Sequence, residues 1–148
     1  MIYSVDVRIE TPVRDTEVTD RVMDAVRNVF ADADLVHSDG RLVAETHTLD
    51  GFSDVLHEQE ILDTARGVFR ENATDEGFHF SLKKQAAFEG TVNFAVGEPD
   101  ELGDIEVTVR VREPSVAEFI DYVAPETDEG QPVDPVREYG DRFDPADY

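Results

Sequence analysis

The sequence has no cysteine and no tryptophan. Without cysteine there can be no disulfide framework, no thiolate zinc site and no thiol nucleophile, and the chain fits a reducing interior. No apolar run approaches the roughly 20 residues that a bilayer-spanning helix requires. The opening Met1-Ile2-Tyr3-Ser4-Val5-Asp6 alternates polar and apolar residues, without the basic region and apolar stretch of a secretion signal. A cytoplasmic protein that makes no membrane contact is expected. The phosphate-binding patterns G-x-x-x-x-G-K-[ST] and G-x-G-x-x-G are absent, as is the G-x-S-x-G nucleophile elbow. The common nucleotide-dependent and hydrolase classes therefore have no motif to stand on, and a non-enzymatic protein without a cofactor is expected.

Positive charge is scarce as well. Thirty-five acids face 13 bases, only two of them lysine, for a net charge of -22. Such a surface repels itself unless salt screens it, and at molar ionic strength the Debye length falls to ~3 Å. A halophilic origin follows as an expectation. With 148 residues the chain is the size of one domain and can bury a core unaided.

Apolar periodicity supplies the elements. Tyr3, Val5, Val7 and Ile9 alternate with polar residues and predict a first strand; Pro12 ends it. Val18, Val22, Ala25, Val26, Val29 and Phe30 recur at helical spacing, with Asp15 available as the cap. Ser38-Asp39-Gly40 between two short apolar runs predicts a hairpin over 35–48 with Leu42, Ala44 and Thr46 on one face, because Asp-Gly supplies the positive φ angles of a tight turn. Phe52, Val55, Leu56, Gln59, Leu62, Ala65 and Phe69 predict one second helix ending near Asn72. Phe78, Phe80 and Leu82 alternate as a strand, Val92, Phe94 and Val96 suit a short strand or an extended loop, and Ile105, Val107, Val109 and Val111 form the clearest strand. Pro114 suits the first turn of a last helix burying Val116, Phe119, Ile120 and Val123. From Pro125 to Tyr148 the period is lost among eight acids, two arginines and four prolines. The expected architecture is α+β: residues 1–124 as a single mixed or mainly antiparallel sheet packed against about three helices, then a disordered acidic tail over 125–148.

Carboxylates are too dense here for paired acids to identify acid–base chemistry. His57-Glu58-Gln59-Glu60 lacks a second histidine at position 61 and reads as solvated helix rather than a metal site. His37 and His47 flank the hairpin and could face each other as a polar cross-strand pair. Asp100, Glu101 and Asp104 lack the ordered spacing of a calcium loop. One stretch does depart from the rest: residues 77–97 hold a single acid, Glu89, where the average density would give about five, and both lysines fall inside it. Lys83, Lys84, Gln85, Phe88 and Asn93 are the candidate RNA-binding residues, with the lysines on a phosphate backbone and Phe88 as a stacking ring. The competing reading places the phenylalanines in the core and the lysines at a strand end.

Four segments carry a family resemblance: Tyr3-Ser4-Val5-Asp6-Val7, Leu56-His57-Glu58-Gln59-Glu60-Ile61-Leu62-Asp63-Thr64-Ala65-Arg66, Leu82-Lys83-Lys84-Gln85-Ala86-Ala87-Phe88 and Gly103-Asp104-Ile105. Over about residues 1–124 the chain resembles an archaeal family of small proteins described as RNA-binding, with a fold similar to that of the large-subunit ribosomal protein that holds 5S RNA. The resemblance implies a sheet flanked by helices and RNA, structured or ribosomal, as partner, without catalytic residues to carry over. The alternative is a protein-interaction domain, or a homodimer, without nucleic acid.

Overall fold

The structure, a computed structural model, describes residues 3–99, 101–128 and 131–132. Five strands form one antiparallel sheet: β1 (Ser4–Pro12), β2 (Asp34–Ser38), β3 (Arg41–Thr46), β4 (Gly77–Lys83) and β5 (Asp104–Glu113), in the order β2-β3-β1-β5-β4. Strand alternation puts Val5, Val7 and Ile9 of β1, Leu42 and Ala44 of β3, Phe78, Phe80 and Leu82 of β4 and Ile105, Val107 and Val109 of β5 on one buried face. Helices α1 (Thr19–Val29), α2 (Asp50–Glu58), α3 (Leu62–Glu71), α4 (Lys84–Phe88) and α5 (Val116–Val123) supply the other apolar layer. The opposite face of the sheet meets solvent.

The sheet is wholly antiparallel, and the hairpin turns on Asp39 (φ 53°) and Gly40 (φ 75°), as Asp-Gly predicts. Aromatic rings fill the middle of the core. Phe52 stacks between Phe30 and Phe80 at 4.9 and 5.3 Å, and Phe69 meets Phe78 and Phe80 at 4.8 and 5.0 Å.

Several elements differ from expectation, each for a local reason. The predicted second helix is two helices, α2 and α3. Glu60 adopts a left-handed φ of 60°, the Ile61 N–H bonds Leu56 O at 3.1 Å and the Glu60 N–H bonds His57 O at 3.1 Å. That is a Schellman stop with glutamate where glycine is usual. Just before the break, the Gln59 amide donates to Val92 O at 2.7 Å and accepts from Val92 N–H at 2.8 Å, so it serves Val92 as a strand partner would. Val92 therefore needs no strand of its own, although Phe94 makes an isolated bridge to Leu82.

The first helix begins at Thr19, behind a turn in which the Arg14 N–H bonds Glu17 Oε1 at 2.9 Å, so Asp15 is not its cap. Pro114 precedes the last helix rather than opening it. Ser115 is the N-cap, its hydroxyl accepting the Glu118 N–H at 3.1 Å.

Part of the segment expected as tail is paired. Strands β6 (Thr127–Asp128) and β7 (Gln131–Pro132) form a short antiparallel ladder. Thr127 Oγ1 bonds Asp63 at 2.7 Å, and Arg66 reaches Ala124 O at 3.0 Å, Asp121 at 2.6 Å and Glu126 at 3.5 Å. The remainder of the expected tail, 129–130 and 133–148, lies outside the described residues.

Candidate nucleic-acid interface

The candidate residues sit where β4 passes into α4, and that junction turns consecutive side chains in different directions. In β4, alternation sends Leu82 into the core and Lys83 to the solvent face. Residue 84 then opens a helix, and Lys84 points inward instead. It is 2 % exposed, and its Nζ donates to Pro12 O at 2.7 Å, to Leu102 O at 2.7 Å and to Glu17 Oε1 at 3.0 Å. Burial pushes the Lys84 pKa down, opposed by the hydrogen bond and charge of Glu17. The expectation that Lys84 contacts a phosphate backbone is therefore corrected. Its ammonium group is spent on tying together the end of β1, the turn before α1 and the loop before β5.

The other four residues stay accessible without forming one patch. Lys83 is half-buried on the sheet face and has no ion-pair partner among the described residues. Gln85 and Phe88 line a groove of about 460 Å³ between α1 and α4, together with Thr16, Glu17, Val18 and Arg21. Phe88 is half-buried and packs on the core, while Asn28 donates to Ala87 O at 3.0 Å and fixes the end of α4. Asn93 is exposed, and its backbone carbonyl accepts the Lys83 N–H at 2.8 Å. Phe78 and Phe80 are core, and Phe94 packs against it.

The two histidines of the hairpin do not face each other. His37 pairs with Leu42, whereas His47 Nδ1 lies 3.1 Å from Asp6 Oδ1. Among the described residues no group of three or more His, Asp or Glu could hold a metal ion.

The solvent face of the sheet carries the larger surprise. Among the described residues its charged positions are Asp6, Glu10, Asp34, Glu45, Asp104, Glu106 and Glu113 against Arg8, Arg41, Lys83, Arg110 and, at the β1–β5 bulge, Arg112; Asp104 is buried and stands directly across from Lys83. Seven acids meet five bases, a milder excess than the 35 acids against 13 bases of the whole chain. The β1–β3 side is an ion network: Arg8 reaches Glu10 at 2.7 Å and Glu45 at 3.4 Å, and Arg41 reaches Glu10 at 3.2 Å. The Arg8 hydrogen bond, reinforced by Arg41, holds Glu10 below the usual carboxylate range. Asp6 is taken by Arg112 and His47.

On the β4–β5 side, Arg110, His79 and Lys83 have no side-chain hydrogen bond or ion pair among the described residues. Sequence reading missed Arg110 and His79. Arg110 lies far from His79 along the chain and comes beside it only through the β4–β5 register, which sets Gly77 against Arg110 and His79 against Thr108. The outward alternation of the β5 strand was the available signal.

Among the described residues no helix is long and apolar enough to cross a membrane. A family model described as RNA binding matches residues 6–112. A UPF0200/UPF0201 protein of Archaeoglobus fulgidus is 36% identical over 131 residues, covering 88% of this chain, which spans only 40% of that relative's length. A UPF0201 protein of Sulfurisphaera tokodaii is 36% identical over 133 residues, 84% of this chain and 90% of its own. The crystal structure of a UPF0201 protein from Methanococcus jannaschii superposes with a TM-score of 0.80 at 32% identity, over 87% of this chain and 99% of that one. None of these names is an enzyme's. The chain thus belongs to the archaeal UPF0201 family, whose shared domain is described as RNA binding.

Proposed function

We propose that this protein binds RNA without catalysing a reaction, in a halophilic cytoplasm and with structured or ribosomal RNA as target. The observation that carries the reading is the match of residues 6–112 to a family described as RNA binding. The geometry supports it through a solvent-facing sheet surface that is closer to charge balance, five bases against seven acids, than the strongly anionic chain as a whole. In concentrated salt, counterion release supplies little affinity, so contact must come from hydrogen bonds, stacking and a few discrete cations. Lys83 supplies one such cation on the sheet face, Gln85 and Phe88 offer a polar group and a ring in the separate groove between α1 and α4, and Asn93 is exposed.

The test is equilibrium binding of a structured RNA and of DNA of the same sequence, in molar KCl. RNA bound with a shallow salt dependence, and weakened by Lys83→Ala, is the expected result. Absence of RNA binding at every salt concentration would overturn the reading.

One observation favours a second reading, assembly with another copy of the chain. β2 is an edge strand with Val36 62% exposed, and such an edge can pair with a second one. Sedimentation in molar KCl decides it: a monomer at working concentration removes this alternative.

A further inference from the structure

The geometry points to the cleft at the Gly77 end of β4 as a phosphate-anchoring site for an RNA strand, with Arg110 as its cation; this rests on the RNA-binding reading above. The cleft encloses about 250 Å³, and Asn72, Thr74, His79, Thr108 and Arg110 contribute to its walls. That is smaller than the ~300–1,000 Å³ of pockets that enclose a drug-sized ligand. It suits a phosphodiester and its sugar rather than a whole nucleotide cofactor.

The donors in the cleft differ in how far they are spent. The Thr74 hydroxyl donates to Gly77 O at 3.3 Å and accepts the N–H groups of Glu76 and Gly77 at 3.2 and 3.3 Å, and the Asn72 amide donates to His79 O at 3.1 Å. Arg110 is different. Asp6 stands directly across from it on β1, yet the Asp6 carboxylate is occupied by Arg112 and His47. The guanidinium therefore keeps its fork of donors, the geometry that matches phosphate oxygens in pairs. His79 and Thr108 stand beside it as cross-strand neighbours, their side chains likewise without a partner among the described residues.

Gly77 fixes the shape of the site. A Cβ there would sit 1.8 Å from Val109 O, so the β4 backbone can close on β5 at this point only as glycine. The Gly77 position thus leaves Arg110 facing no side chain across the ladder.

Lys83 lies four residues from His79 on the same face of β4, roughly 13 Å at strand spacing. A strand of RNA laid along β4 would meet Arg110 and Lys83 in turn. Glu106, held by the Ser81 hydroxyl at 2.6 Å, separates them, and Glu76 also lines the cleft. The contacts are therefore two discrete points rather than a basic track, which agrees with a weak dependence on salt.

The test measures anisotropy of a fluorescein-labelled oligouridylate across a KCl series, with wild type, Arg110→Ala, Arg110→Lys and, as control, Arg41→Ala, whose guanidinium is already paired with Glu10. Arg110→Ala should weaken binding about tenfold at the lowest salt and reduce the slope of log K against log salt by ~0.7, the loss of one phosphate contact to a single strand. Arg110→Lys should restore part of the affinity, and Arg41→Ala should change neither quantity. Circular dichroism checks each fold, with Arg110→Gln as the substitute should alanine disturb it. Wild-type binding with Arg110→Ala unchanged in affinity and slope would overturn the site and leave the RNA reading standing. Wild type that binds no RNA at any salt would overturn both.

Discussion

Lys83 and Lys84 are adjacent in sequence and opposite in fate. Lys83, half-buried, projects from the last residue of β4 onto the sheet's solvent face, across from Asp104 but without an ion pair among the described residues, whereas Lys84 opens α4 and turns into the molecule to reach Glu17 and two carbonyls. The change of repeat from two residues to 3.6 at the junction is what separates them. A pair of like charges is thus not evidence of one binding patch. Its meaning depends on whether both residues belong to the same element.

The strongest way to break this contrast is to remove each ammonium separately. Lys84→Met leaves the Glu17 carboxylate, itself only 7% exposed, without its cation, and leaves Pro12 O and Leu102 O without their donor. Removing one partner of a buried pair typically costs about 3–5 kcal/mol. Denaturant unfolding at fixed KCl should show a loss of that order for Lys84→Met. Lys83→Ala should stay within about 0.5 kcal/mol, as an unpaired surface residue does. Equal losses in the two variants would show that the junction does not separate their roles. The double variant Glu17→Leu/Lys84→Met sharpens the point: it should recover part of the loss, because no charge is then stranded, but not all of it, because the two carbonyls still lack a donor.

The same distinction between local pattern and register explains what the sequence could and could not reveal. Strands with strict alternation, such as the run from Ile105 to Val111, and the Asp39-Gly40 turn were legible because one residue choice serves one geometry. The division of the second helix was not. Glu60 occupies the left-handed stop where glycine would have announced it, and the side chain just before it, Gln59, is bonded to the Val92 backbone 33 residues away. α4 was equally hidden, since five residues are too few to display a helical period. For the candidate interface, the acid-poor stretch did locate Lys83, Gln85, Phe88 and Asn93 outside the sealed core. It could not show that Lys84 would be consumed by Glu17, which lies 67 residues earlier, nor that Arg110 would arrive beside His79. Charge density along a chain reports scarcity of acids. Pairing across strands decides which bases remain unspent.

An exposed pair on the helical layer supplies the smallest test and bounds the contrast from the other side. The Tyr122 hydroxyl donates to Asp50 Oδ1 at 2.7 Å, with Tyr122 43% exposed. That hydrogen bond, with burial and the Asp50 charge adding to it, pushes the Tyr122 pKa up to about 12 from 10.0. Between these two values the folded protein holds a proton that the unfolded chain has released. The stabilisation from this group is therefore complete below pH ~10 and is lost as pH rises through about 12. Absorbance of phenolate should reveal one tyrosine that titrates near 12 in the native protein and is missing in Tyr122→Phe. In unfolding at neutral pH the same substitution should cost no more than about 1 kcal/mol, because solvent competes for an exposed hydroxyl in a way it cannot for the buried Lys84 ammonium. A Tyr122→Phe loss as large as that of Lys84→Met would mean that burial is not what sets the worth of a polar contact in this fold.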